Sequence, residues 1–393
     1  MKLLILSQYF WPENFRINDV VEGLASRGHA VTVYTALPNY PTGKFFDGYG
    51  FAGPYREKRG SAEIRRVPLF PRGGGGGFRL ALNYLSHAFM ASALAPFLKG
   101  KFDAILVYEP SPMTIGIPAR VLRALKGAPL VFWVQDLWPE SLSATGAVRS
   151  RTVLALVDRL IKWIYRGCDR VLVQSEAFIP SVEAHGVPRE RIRYLPNSAE
   201  AFYRKMPRQA QPGFCVMYAG NIGAAQDFPT ILAAAERTPQ VRWLIVGDGR
   251  MRPWVESEVE KRGLRNVQLL GQHPSEDMPR LFAQADVLLA TLRREPIFAY
   301  TIPSKIQSYL ACGRPVIAAI EGEGGRIIRN AEAGWAVPPE DPAALAEAVL
   351  AASRLERSEL DAMGSRGETW FREHFEREKL LTRLEDFLQE VKK

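Results

Sequence analysis

The chain has 393 residues, 47% apolar and 24% charged, with 51 Lys and Arg against 42 Asp and Glu for a net charge of +9. This length exceeds one ordinary α/β domain and suits two, and the composition excludes a disordered chain. No run reaches the roughly 18 uninterrupted apolar residues of a membrane span, and residues 1–9 turn polar too soon for a signal segment. Cys168, Cys215 and Cys312 lie too far apart for a metal site, and their apolar surroundings predict core packing in a reducing cytoplasm. Residues 1–205 carry 27 Lys and Arg against 16 Asp and Glu, a net +11, and the remainder carries −2. An anionic membrane surface, a phosphate-bearing acceptor or nucleic acid would suit that basic half; solubility alone is the plainer account.

Short β-branched runs alternate with helical stretches from the N-terminus on. Strands are predicted at 3–7, 31–35, 104–108, 130–134 and 171–174, with helices at 18–27, 114–126 and 152–168. Strand, crossover helix, strand is the grammar of a parallel sheet covered on both faces. Residues 73–77 are five consecutive glycines, which the interior of a helix or strand does not accommodate cheaply. They precede 78–98, rich in Leu, Ala, Phe and Met and flanked by Arg65, Arg66, Arg72, Arg79 and Lys99. That segment is either an apolar helix at a membrane interface or a buried crossover helix after a flexible loop.

The series restarts with strands at 215–219, 242–246, 267–270, 287–291 and 315–319 and helices at 228–237, 252–262, 278–284 and 304–311. The fold class is therefore α/β, with two doubly wound Rossmann-like domains. Their boundary is expected in the polar segment 200–213. The division is 1–205, 206–375 and a C-terminal helix, 376–393, in which Leu380, Leu381, Leu384, Phe387 and Leu388 form an apolar stripe able to cross back to the first domain.

Four loops carry the chemistry, because ligands of doubly wound domains sit beyond the carboxyl ends of strands, near helix N-termini. The first, residues 8–18, offers Trp11, Glu13, Asn14, Arg16 and Asn18. It lacks a Gly-x-Gly-x-x-Gly fingerprint, which argues against a nicotinamide or flavin dinucleotide, and no P-loop is present. The second, residues 132–141, brings Asp136 and Glu140 to a strand end. A carboxylate there could bind a sugar hydroxyl or accept a proton, or simply cap the next helix. In the third, residues 218–227, Gly220 and Gly223 permit close approach to a ligand, and Asp227 suits a helix cap. The fourth, residues 303–317, places Ser304 and Lys305 in the first turn of a helix, with Ser308 one turn along. A cation is unfavourable there unless an anion joins it, so Lys305 and the free amides make a diphosphate cradle.

The pieces Gly28-His29-Ala-Val31, Pro196-Asn197, Gly220-Asn-Ile-Gly223, Val246-Gly-Asp-Gly249, Ala285-Asp-Val287 and Ala311-Cys-Gly-Arg-Pro-Val316 occur in one order. That ordered set resembles the retaining glycosyltransferases of family 4, over essentially the whole chain. Gln135-Asp-Leu-Trp-Pro-Glu-Ser141 and Pro303-Ser-Lys-Ile-Gln-Ser308 resemble a bacterial O-antigen or capsule subgroup typified by the N-acetyl-L-fucosamine transferase. The resemblance implies a GT-B fold with a cleft between the two domains. It implies a nucleoside-diphosphate sugar, UDP-linked, on the second domain and a polyprenyl-diphosphate-linked acceptor on the first. Gly220, Asn221, Gly223 and Gln226 would face the diphosphate and sugar, and Gly247, Asp248 and Gly249 the nucleotide. Ser304 and Lys305 would bind phosphates and Ser308 would lie near the ribose. Asp136, Glu140 and the loop bearing Glu13, Asn14, Arg16 and Asn18 would face the acceptor and the transferred sugar.

The chain departs from the family where two glutamates with seven residues between them are usual: Tyr300 and Ser308 stand there, and Glu295 is the nearest substitute. The catalytic set implied is Asp136, Lys305 and Glu295. No cofactor and no metal is expected, since amides and Lys305 supply the positive field and no metal-ligand cluster is visible. The expected setting is the cytoplasm, with peripheral attachment to an anionic inner-membrane face and no nucleic-acid partner, since no nucleic-acid-binding module is present. A UDP-sugar epimerase of the same architecture and a non-catalytic two-lobed sugar-binding protein are the rival readings.

Overall fold

The computed structural model describes residues 1–74, 76–144, 148, 150–209 and 212–392. Gly75 of the glycine run, and Ala210 and Gln211 of the expected linker, lie outside the described residues. The chain divides into two compact units, Met1–Pro196 with Leu380–Lys393, and Asn197–Lys379.

The first unit holds β1 (Lys2–Leu6), β2 (Ala30–Ala36), β3 (Arg56–Arg59), β4 (Ala62–Val67), β5 (Ala104–Glu109), β6 (Leu130–Val134), β7 (Arg170–Val173) and β8 (Ile192–Tyr194). Their order across one sheet is β3-β4-β2-β1-β5-β6-β7-β8. Every pairing is parallel except β3 with β4. Strands β5 and β6 are buried along their whole length, which is why they read as unbroken apolar runs. Strand addition reverses direction between β1 and β5, so the loops after these two strands part and open a crevice at the carboxyl edge.

Helices Gly77–Leu94, Gly116–Lys126 and Arg151–Arg166 lie side by side against this sheet. Right-handed crossovers place Ile17–Ser26, which returns the other way, on the opposite face. The C-terminal stripe joins it there: Leu380, Leu381, Leu384 and Leu388 pack in one cluster with Leu3, Ile5, Ile17, Val21 and Leu24. Glu385 adds an ion pair of 2.6 Å with Arg27 and a hydrogen bond of 2.6 Å with His29.

The second unit holds β9 (Cys215–Ala219), β10 (Arg242–Val246), β11 (Val267–Gly271), β12 (Val287–Thr291), β13 (Val316–Ala319) and β14 (Gly334–Val337). The order is β11-β10-β9-β12-β13-β14, all parallel, and the switch point lies between β9 and β12. The units divide at 196/197 rather than 205/206 because the intervening residues are fastened to the second unit. Tyr203 stacks 6.2 Å from Phe282, Ser198 donates to the Phe375 carbonyl at 2.7 Å, and Lys205 donates to the Ser365 hydroxyl at 2.9 Å.

Candidate active site

Two glycine loops, after β9 and β10, interlock beside the switch point of the second unit. The Gly220 amide donates to the Val246 carbonyl at 2.9 Å and the Ile222 amide to the Asp248 carbonyl at 2.8 Å. Gly247 has φ +134°, and a Cβ there would overlap the Gly220 carbonyl oxygen, so no side chain fits at that crossing. Asp248 is exposed and accepts from the Gly249 amide at 2.7 Å. Asn221 donates to the Gln226 side chain at 3.2 Å, and Thr291 at the end of β12 donates to the Gln226 carbonyl at 2.6 Å. Gly220, Asn221, Gly223, Gln226, Gly247, Asp248 and Gly249 therefore form one surface.

Lys305 is brought to the same surface. Helix Ser304–Ala311 starts after Pro303, which holds extended backbone, and Tyr309 within it bonds both the amide and the carbonyl of Ala219, at 3.1 and 3.2 Å. That anchor presses the first turn onto the end of β9. The Lys305 stem then lies across Gly220, where φ is +136° and a Cβ would stand 2.8 Å from Cε. Its ammonium donates to the Tyr218 hydroxyl and sits 3.7 Å from that ring's centre. Tyr218 in turn donates to the Asn221 carbonyl at 2.6 Å. Among the described residues no carboxylate pairs with Lys305. Burial pulls its ionisation down to about 7. A cation held in low dielectric, beside bare backbone and the free amides of a helix start, is arranged to receive an anion.

The other residues of this unit are placed differently. Ser304 is exposed at the helix start, whereas Ser308 is buried and donates to the Ser304 carbonyl at 3.2 Å. Glu295 precedes the short helix Pro296–Tyr300; its amide donates to Arg293, whose own amide donates to Ala225 of the glycine loop. No contact of the Glu295 carboxylate with Lys305 occurs among the described residues. Nor is any group of three or more His, Cys, Asp and Glu placed to hold a metal ion among them.

In the first unit, Glu13 faces inward. It is 1% exposed and accepts from the backbone amides of Phe10, Asn39 and Tyr40 at 3.1, 2.8 and 2.8 Å, clamping the loops after β1 and β2. Burial raises its carboxyl to about 7 despite these donors. Asn18 is likewise a brace, accepting from the Trp11 amide and donating to the Glu13 carbonyl. The expectation that Glu13 faces a ligand is corrected on that ground: its oxygens are spent on the protein. Asn14 is exposed, and Arg16 stands half-buried at the start of helix Ile17–Ser26.

Asp136 accepts from Ser141 and from the Trp138 indole at 3.3 Å, and Glu140 accepts from Ser181 at 2.5 Å. Asp136 thus ties down the turn into helix Glu140–Ala144, and burial raises its carboxyl. Behind it Glu109 is fully buried, its carboxylate beside the amides of Gln135 and Asp136 without closing a hydrogen bond; burial first, then the charge of Asp136, pushes it well above the usual carboxylate range.

Residues 14–198 match the family model described as Glycosyl transferase 4-like domain, and residues 216–354 match Glycosyl transferases group 1. The chain is a GT-B glycosyltransferase. It is 27% identical over 348 residues to WcaI of Escherichia coli (strain K12), which bears the name of a colanic acid biosynthesis glycosyl transferase, covering 82% of this chain and 84% of that protein. WbjE of Pseudomonas aeruginosa, named as a glycosyltransferase, is 28% identical over 257 residues, with 61% and 64% covered. Among solved structures, Anabaena Alr3699/HepE in complex with UDP superposes with a TM-score of 0.72 at 16% identity, covering 100% of both chains. Sucrose-phosphate synthase from Thermosynechococcus elongatus superposes at 0.73 and 18% identity, with 100% and 99% covered.

In this glycosyltransferase, residue-by-residue reading of the sequence missed Tyr218, Tyr309 and Glu109. Each ends a strand or sits inside a helix as an ordinary core residue would, so only the fold reveals that Tyr218 and Tyr309 hold the Lys305 turn. A signal did exist for Tyr218, which opens the loop of residues 218–227.

Proposed function

We propose that this glycosyltransferase binds a UDP-linked sugar on its second unit and transfers the sugar, with retention and without a metal, to a polyprenyl-diphosphate-linked saccharide. The setting would be O-antigen, capsule or exopolysaccharide synthesis, and the N-acetyl-L-fucosamine subgroup resemblance favours an N-acetylated deoxyhexosamine. One observation carries the donor assignment: the Lys305 ammonium, without a carboxylate partner among the described residues, lies over Gly220 beside Asn221 and the loop from Gly247 to Gly249. The acceptor hydroxyl attacks the anomeric carbon while the bond to the diphosphate oxygen breaks. Lys305 and the amides of Ser304 and Lys305 receive the charge that grows on the diphosphate, which takes the acceptor proton as it leaves. Glu295 is the carboxylate nearest along the chain for the sugar hydroxyls, and Asp136 is the one for the acceptor side. HepE was solved with UDP and with UDP-glucose, and WcaI is named for colanic acid biosynthesis; both support the reading.

An anionic inner-membrane surface is the proposed working surface. No helix of the described residues is long and apolar enough to cross a membrane. Helix Gly77–Leu94 nevertheless buries Asn83 and His87 completely while exposing Phe78, Leu85 and Phe89 by 83, 57 and 71%. That inversion of ordinary amphipathicity wants an apolar cover. Helix Arg151–Arg166, beyond helix Gly116–Lys126, exposes Leu156 and Trp163 together with Arg151, Arg159 and Arg166, the composition of an interfacial helix on anionic lipid.

Thermal unfolding with a panel of nucleotides and nucleotide sugars tests the donor. UDP and one UDP-sugar are expected to stabilise by about 2.7 kcal/mol at a hundredfold excess over Kd. A panel in which no nucleoside diphosphate shifts the melting temperature would refute the proposal.

A further inference from the structure

We propose that Arg72 and Arg79 hold the phosphate of a membrane lipid whose hydrocarbon chain lies along the exposed face of helix Gly77–Leu94. This rests on the lipid-linked acceptor proposed above and assigns its phosphate a place.

Arg72 follows β4 at the carboxyl edge of the first sheet. Its amide donates to the Asn39 side chain at 3.1 Å, and its guanidinium donates to the Tyr9 hydroxyl at 3.4 Å. The guanidinium lies 5.0 Å from the Tyr40 ring centre and 6.0 Å from that of Tyr84. The groups its guanidinium touches, the Tyr9 hydroxyl and the two rings, are neutral, and among the described residues no carboxylate pairs with it. A network fixes this surround: Gln8 donates to Asn83 at 2.9 Å, and Asn83 donates to the Phe70 carbonyl at 2.7 Å. Tyr84 also stands 6.4 Å from Trp138, next to Asp136. The tyrosine box thus reaches the loop proposed for the acceptor.

Arg79 reaches back from the helix to Gly73, the residue after Arg72. Its guanidinium lies over Gly73, near enough that a Cβ there would stand 2.5 Å from Nη1, and it too has no acidic partner among the described residues. Two guanidinium groups with fork-shaped donors and no counter-ion suit a phosphate or diphosphate. Arg79 directly follows Phe78, where the exposed apolar face begins; Phe78, Leu82, Leu85 and Phe89 continue it for roughly 17 Å. Anion site and apolar track lie end to end, which is the outline of a phosphate-headed lipid. A free phosphate would use only the arginines.

The test is flotation of the full chain with neutral phosphatidylcholine vesicles, plain or doped with a long-chain isoprenoid phosphate, with and without inorganic pyrophosphate. Wild type is expected to prefer doped vesicles by on the order of tenfold or more. R72Q/R79Q should lose that preference and keep the binding to plain vesicles, with R79Q alone as the milder variant should Arg72 prove necessary for folding. R72K/R79K should retain most of the preference. Equal preference in R72Q/R79Q and wild type would overturn the proposal. So would full competition by pyrophosphate at concentrations matching the lipid phosphate, which would mark a soluble-phosphate site. The readout is binding, so a chain that transfers no sugar can still pass.

Discussion

Lys305→Met keeps the stem of the side chain and removes its charge, which separates what Lys305 costs the fold from what it does for the donor. Burial moves its ionisation from 10.5 to about 7. At about 1.4 kcal/mol per pH unit, this sets on the order of 4 kcal/mol against charging it in the folded chain. Contact with the Tyr218 ring returns about 1–2 kcal/mol. The ligand-free variant should therefore be more stable than wild type by about 2 kcal/mol at neutral pH. The unfolded chain keeps this proton up to 10.5 while the folded chain releases it from about 7, so wild-type stability gains as pH rises between the two and the variant loses that gain. Turnover at saturating donor should fall on the order of a hundredfold to a thousandfold, the usual cost of removing one donor to a developing anion. Urea unfolding at about pH 7 and about pH 9, beside a transfer assay, measures all three. A variant less stable than wild type at neutral pH, or one with undiminished turnover, would refute the reasoning.

Four further outcomes follow from the geometry. Gly247→Ala forces a side chain onto the Gly220 carbonyl at a positive φ and should cost at least about 1–3 kcal/mol while weakening UDP binding; unchanged melting and affinity would count against the interlocked loops. Glu13→Ala strands three backbone amides and should destabilise by about 2 kcal/mol or more, read by urea unfolding. The folded chain holds the Glu13 proton up to about 7, above the ordinary carboxyl range, so that part of stability is present in acid and lost as pH rises through 7; Glu13→Gln should flatten it. Leu384→Ala should cost about 2–5 kcal/mol, because the C-terminal stripe is buried against the first sheet; a change under about 1 kcal/mol would contradict that packing.

Most parallel strands were legible because burial makes them continuous apolar runs, as in Ala104–Glu109 and Leu130–Val134, but the short outer strands Ile192–Tyr194 and Gly334–Val337, only partly buried, were not. The hairpin of Arg56–Arg59 with Ala62–Val67 was not, since Arg-Glu-Lys-Arg shows no alternation and forms a strand only through its partner. Helices Glu323–Asn330, Pro342–Arg354 and Arg357–His374 escaped as well, although Asp341 caps the second through the amides of Ala343 and Ala344. On the site, the sequence singled out the glycines and Lys305 because their chemistry is costly without a ligand. Glu13 misled because a polar residue in a strand-end loop looks ligand-facing; that its carboxylate turns inward to the Asn39 and Tyr40 amides depends on a fold partner some 26 residues away.

A crystal structure with UDP bound decides whether Lys305 is the centre of the site. The diphosphate should lie within hydrogen-bonding distance of the Lys305 ammonium and beside the backbone at Gly220. A diphosphate seated elsewhere, with Lys305 still turned onto Tyr218, would contradict the account.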